Sequence, residues 1–214
     1  MKRFSAVTSI FLVFIGTALL ILSPTWIVFI QDTRFTGVSI LIWTTVAYFL
    51  PRLLRVPASA RDAASKNQAT DLLQFLLVVA VVGDALGSLG LYKIYTTHFG
   101  YDKALHFFIP FISVGILYAI ARIRFTRRYT VAVGIAFGIV VACAFGWEIV
   151  EYLCDRIFNS HLQGFYRADI YADTIRDLLF GLAGSGIGVA CAKKISKILL
   201  PPSCQIVDMN DASR

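Results

Sequence analysis

Charge is what this chain has least of. Only 15% of its residues are Asp, Glu, Lys or Arg, 57% are hydrophobic, and mean hydropathy is +0.72. Soluble domains carry about 25% charged residues, so this balance excludes a water-soluble globule and implies an integral membrane protein. Cysteine is scarce too: Cys143, Cys154 and Cys191 fall in or at the ends of apolar stretches and Cys204 in the C-terminal tail. That distribution excludes a framework of extracytoplasmic disulfides and leaves the cysteines as packing residues. The chain shows no inverted internal repeat and no paired Gly/Pro breaks within spans, the marks of many transporters, and no low-complexity segment. The net charge of +7 belongs to loops facing anionic lipid, and nucleic-acid binding has no support.

What is abundant is apolar sequence in runs near the 20 or so residues a spanning helix needs. The expected spans are residues 5–22, 37–50 with some extension, 71–93, 104–123, 129–154 and 173–195. They predict an all-α polytopic membrane bundle of about six transmembrane helices. The organisation expected is an N-terminal helix pair over residues 1–51, a cytoplasmic linker over 52–70, a four-helix unit over 71–200 and a cytoplasmic tail over 201–214. The first span starts like a signal peptide with Met1, Lys2 and Arg3, but its apolar run exceeds a signal core, so it reads as a retained helix. The second is the span on which the topology depends, because residues 26–30 before it are apolar as well. With six spans, one face receives Lys2, Arg3, Arg52, Arg55, Arg61, Lys66, Arg122, Arg124, Arg127, Arg128, Lys193, Lys194, Lys197 and Arg214. The other face receives Arg34, Lys93, Lys103, Arg156, Arg167 and Arg176. The excess of basic residues marks the cytoplasmic side, so both termini are expected there.

The few ionisable residues inside the apolar stretches gather at one end. Asp102, Lys103 and His106 enter the fourth span, Glu148 and Glu151 leave the fifth, and Asp173 and Asp177 enter the sixth. Alternating span directions bring all of them to the extracytoplasmic boundary. Each such group costs about 2.5–3.5 kcal/mol at a helix centre on insertion scales, so it persists where it pairs or works. Spacings of three or four place Asp102 with His106, Glu148 with Glu151 and Asp173 with Asp177 on common helix faces. Bundle cores assemble carboxylate metal sites from such pairs. The candidate metal ligands are therefore Asp102, His106, Glu148, Glu151, Asp173 and Asp177. Oxygen donors with one imidazole suit Mg, Mn or Ca better than zinc, which would want more nitrogen or sulfur. Asp84 lies about 14 Å before Lys93 along the third span, too deep to snorkel, and is a candidate for a proton relay. Pro110 cannot donate to the His106 carbonyl and should bend the fourth span there; the freed carbonyl is either a further ligand or only a bend.

A structural alternative stands beside this. Lys103, Arg156, Arg167 and Arg176 can neutralise the acids in salt bridges that only pin helices, and Asp155, Asp169 and His161 fit solvated loop positions after the fifth span. His98 reads as a loop or interface residue. Trp147, Tyr152, Phe165, Tyr166 and Tyr171 fit an interfacial aromatic belt or, alternatively, a substrate pocket. The pairs Gly83/Gly87, Gly134/Gly138, Gly181/Ser185 and Gly184/Gly188 are small-xxx-small contacts suited to close helix approach.

The ordered set Tyr101, Asp102, Lys103, His106 and Phe107, then Trp147, Glu148 and Glu151, then Asp169, Asp173, Thr174, Asp177 and Gly181 resembles the YjdF family of bacterial inner-membrane proteins. It is similar, more distantly, to VanZ-like proteins. The resemblance covers roughly residues 71–188 and implies a multi-pass protein of the bacterial inner membrane. The YjdF family has no assigned reaction, and VanZ-like proteins are associated with glycopeptide-antibiotic resistance. VanZ-like patterns have Gln where this chain has Glu151 and Asn where it has Asp177, so the VanZ role does not transfer directly.

Three functions compete at this point. In the first, the carboxylates hold a divalent ion that bridges to an anionic lipid or envelope-precursor headgroup. His106, Glu148 and Asp102 are then the catalytic candidates, with Lys103 and Arg176 contacting the anion; nothing resembling an activated nucleophile accompanies them. The second is a non-catalytic scaffold locked by buried ion pairs. The third is a proton-coupled transporter with Asp84 in the relay, against which stands the absence of a second polar cluster at the inner end.

Overall fold

A computed structural model describes residues 2–22, 33–55, 63–91, 100–126, 128–158 and 170–199. Six long helices carry the fold: α1 (Lys2–Ile21), α2 (Thr33–Leu53), α3 (Ala63–Leu86), α4 (Tyr101–Arg124), α5 (Tyr129–Phe158) and α6 (Ile170–Leu199). All six are long and apolar enough to cross a membrane. The described residues contain no strand, as expected where backbone polar groups must be satisfied within each segment. Large apolar side chains such as Phe11, Phe14, Phe137 and Leu179 point outward, which suits lipid as the surrounding solvent.

Several boundaries differ from those expected. α3 begins at Ala63 and α2 runs to Leu53, so helix takes in much of the expected linker. α5 continues one turn past Cys154 to Phe158, which puts Asp155 in the helix instead of the following loop. α6 starts at Ile170, placing Asp173 within its first turn, where a carboxylate meets the positive end of the helix dipole. α3 ends in a wide turn over Gly87–Leu91, in which Gly90 has φ 132°, a conformation only glycine adopts freely. α4 passes through Pro110 as one helix. The turn after it is held by the Phe125 and Thr126 amides donating to the Ala121 carbonyl.

α4 is the hub, packed on α3, α5 and α6, while α1 and α2 pack on each other and on α3. α4 and α6 run parallel and approach backbone to backbone. A Cβ on Gly184 would lie 2.1 Å from the Phe107 carbonyl oxygen, and one on Gly188 2.8 Å from that of Phe111. Gly115 of α4 makes room in turn for the Ile195 side chain of α6. Gly16 and Gly37 bring α1 and α2 together in this way, a contact not expected from sequence. Gly134 and Gly138 instead meet nothing within 4 Å, which corrects the expectation that they mark a helix contact. Cys143 is exposed and so is not a packing residue. Below the polar end, Val114, Tyr118, Ala121, Ala132, Ala136, Val140 and Ala192 form one core among α4, α5 and α6. Ala69, Leu72, Leu76, Ile116 and Ile120 join α3 to α4.

Candidate functional site

The parallel register of α4 and α6 builds the site. Side chains on a helix lean toward its N-terminus, so Lys103, one turn before Phe107, reaches back toward the first turns of α6. Its ammonium lies 2.8 Å from Asp102 Oδ2 and 2.8 Å from Asp173 Oδ1, and it also pairs with Asp177. The lysine is 1% exposed. One buried cation thus binds a carboxylate of its own helix and two of the neighbouring one.

His106 stands one turn further along α4. Its Nε2 is 3.5 Å from Asp102 Oδ1 and 3.9 Å from Asp177 Oδ1, and its Nδ1 is 3.8 Å from Glu148 Oε1 on α5. Glu148 is buried. Glu151, on the same stretch of α5, takes a hydrogen bond of 2.7 Å from Trp147 Nε1 and lies within electrostatic reach of Glu148, Asp102 and Asp177. Trp147 in turn packs against Trp43 of α2, ring centroids 5.5 Å apart, so α2 touches the residue that bonds Glu151.

Asp102, His106 and Asp177 each offer one ligand atom, and these atoms lie within 4.8 Å of one another. Oxygen ligands sit about 2.0–2.6 Å from Mg or Ca, so one ion can reach all three. The donors, two carboxylate oxygens and one imidazole nitrogen, are of the hard to borderline kind that such ions accept. The residues present therefore fit a divalent ion. They also show its competitor, because the Lys103 ammonium already binds Asp102 and Asp177.

The remaining expected site residues fall as follows. Asp173 contacts Lys103 and is outside the three-ligand group. Lys103, expected to meet an anionic substrate group, is enclosed by carboxylates and inaccessible to one. Arg176 is exposed on α6 and takes no part in the ion pairs above. Asp84 is half-buried beside Gly83, whose carbonyl accepts a 2.8 Å hydrogen bond from the Tyr101 hydroxyl; it is outside the three-ligand group. The carbonyl of His106 faces Gly181, 3.7 Å from where a Cβ would stand, so it serves the α4–α6 contact. Tyr152 and Tyr171 are exposed, and Arg156 lies over the Tyr152 ring. Lys93, His98, His161, Phe165, Tyr166, Arg167, Asp169 and the tail lie outside the described residues.

The other end of the bundle holds a polar set that sequence reasoning missed. Arg55 pairs with Asp71, and Arg124 donates to the Leu54 carbonyl at 2.6 Å and to Thr70 Oγ1 at 2.8 Å. Gln74 Nε2 donates to the Tyr48 carbonyl at 3.3 Å. The expectation of no second polar cluster is corrected: Thr70, Asp71 and Gln74 are spaced as one face of α3, a signal hidden because two of them are uncharged.

Six apolar helices around a buried Asp/His/Lys cluster define a polytopic α-helical membrane protein. Within that class, the family model described as a predicted membrane protein, DUF2238, matches residues 8–197. The chain belongs to this family, which corresponds to the YjdF resemblance, and the match takes in α1 and α2 as well as the four later helices. Neither the curated proteins nor the solved structures contain a significant match.

Proposed function

We propose that the protein binds a divalent cation at the α4–α5–α6 cluster and, through it, an anionic lipid or envelope-precursor headgroup at the outer face of a bacterial inner membrane. The observation that carries this reading is the convergence of Asp102, His106 and Asp177 ligand atoms within 4.8 Å. Charge balance supports it. The carboxylates of Asp102, Glu148, Glu151, Asp173 and Asp177 outnumber Lys103 and His106, and an excess of like charge in a low-dielectric setting draws in a cation. Nε2 of His106 is turned toward Asp102 and Asp177, while Nδ1 lies 3.8 Å from Glu148 Oε1, beyond hydrogen-bond length but near enough for the carboxylate to act electrostatically on the ring. A bound ion would supply Lewis-acid polarisation of a phosphate or similar oxygen. Exposed Arg176 suits contact with the anionic group. His106, Glu148 and Asp102 are the residues on which any proton transfer would fall.

The test is elemental analysis of protein purified in mild detergent, beside an Asp102→Asn/His106→Ala variant of equal monodispersity, with defined metals added back. A near-stoichiometric ion in the native protein and none in the variant is expected. A native protein that neither holds nor rebinds an ion would overturn the reading. A scaffold role is favoured by one specific observation, the Lys103 ion pairs that tie α4 to α6. Under that reading the same substitutions reduce abundance and thermal stability and leave no ion to lose.

A further inference from the structure

One oxygen of the outer cluster is contested. Lys103 Nζ pairs with Asp177 Oδ1, and that same oxygen faces His106 Nε2 at 3.9 Å. Asp102 divides its two oxygens instead. Its Oδ2 holds the lysine at 2.8 Å, while its Oδ1 faces His106 Nε2 at 3.5 Å. Asp173 Oδ1 also holds the ammonium at 2.8 Å, and Asp173 is outside the three-ligand group.

An ion held by Asp102 Oδ1, His106 Nε2 and Asp177 Oδ1 therefore requires the ammonium to give up one of its three carboxylates. Lys103 is 1% exposed, so a released ammonium has no water to turn to, and losing its partners there would leave a buried charge uncompensated. Asp102 Oδ2 and Asp173 Oδ1 are the contacts that remain to it. A divalent ion brings twice the charge of the ammonium to the same oxygen, which in a low-dielectric setting favours the exchange. A monovalent ion would only match a cation that is already tethered in place.

We infer, resting on the reading that this cluster binds a divalent cation, that Lys103 is the cation resident in the site and Asp173 the positioning residue that retains it. When an ion enters, the ammonium releases Asp177 Oδ1 and stays on Asp102 Oδ2 and Asp173 Oδ1. Lys103 thereby sets the affinity of the site without being a ligand. Asp173 assists binding through the lysine and not through the ion.

The test is Mn2+ binding to the full chain in detergent at fixed pH and ionic strength, read from the paramagnetic resonance signal of the free ion. Lys103→Met removes the competing charge and should bind Mn2+ at least about tenfold more tightly than the native protein. Asp173→Asn should bind it about fivefold or more weakly and Asp173→Glu should recover the affinity; in the Lys103→Met background the cost of Asp173→Asn should be at least about threefold smaller. If Lys103→Met is not monodisperse, Lys103→Gln, which keeps hydrogen bonds to the carboxylates without the charge, is measured in its place. Three results would overturn the exchange and leave the metal reading standing: a Lys103 variant that binds no more tightly than the native protein, an Asp173→Asn variant that binds as tightly, or a cost of Asp173→Asn that persists undiminished without the lysine. If no form of the protein binds Mn2+, the metal reading falls and the exchange falls with it.

Discussion

Lys103 brings a full charge to a place where 1% of its surface remains exposed. Desolvation of an ammonium is offset there only by Asp102, Asp173 and Asp177 together, since a single ion pair rarely repays it. Removing the cation leaves buried carboxylates facing one another. Lys103→Met should therefore lower stability by about 3–5 kcal/mol, read as a depressed melting temperature in detergent and reduced membrane abundance. Melting like that of the native protein would mean that the α4–α6 ion pairs contribute nothing. At this scale the acids of the site were legible, because charge is conspicuous in an apolar chain. The lysine's place among them was not. Its neighbour Asp102 is adjacent in sequence, but Asp173 and Asp177 come from a helix whose contact with α4 is set by Gly181, Gly184 and Gly188, one to three turns further along α6. Glu151 shows the same limit: three residues from Glu148, it is bonded by Trp147, a partner that spacing alone does not select.

At the scale of the helix, packing is decided by whether a partner backbone is present. Gly184 and Gly138 sit in small-xxx-small pairs of the same form, yet a Cβ at Gly184 would press to 2.1 Å on a backbone carbonyl oxygen and one at Gly138 would touch nothing within 4 Å. A carbonyl in a helix cannot swing aside as a side chain can. Gly184→Ala should destabilise by about 1–3 kcal/mol or more, whereas Gly138→Ala should be neutral or stabilise by up to about 1 kcal/mol through helix propensity. Thermal unfolding of the two variants in one detergent checks both. Equal melting would show that α4 and α6 do not meet as closely as described. Helix existence was legible from apolar length in all six cases, since a bilayer demands it. Helix ends were less so, because α3 and α5 extend into polar sequence, Ala63–Thr70 and Asp155–Phe158, where hydropathy falls but hydrogen bonding continues.

At the scale of the molecule, the two polar sets lie at opposite ends of one bundle, and which end faces the cytoplasm fixes what each can meet. Arg55 and Arg124 are anchored at the end where α2 and α4 finish and α3 begins, and Arg52 stacks on Tyr48 nearby, 3.4 Å from its ring centroid. Lys193, at the same end of α6, lies 4.5 Å from the Tyr129 ring centroid. Each basic residue near an anionic leaflet contributes about 1 kcal/mol, so several of them on one face bias insertion strongly. That bias predicts an outward-facing acid cluster, with both termini on the basic side. A fluorescent protein fused after Leu199 should fluoresce, and alkaline phosphatase fused there should be inactive. The opposite pair of results would turn the bundle over, place the Asp102/His106/Asp177 group at the cytoplasmic face, and require its ligand to be sought among cytoplasmic anions.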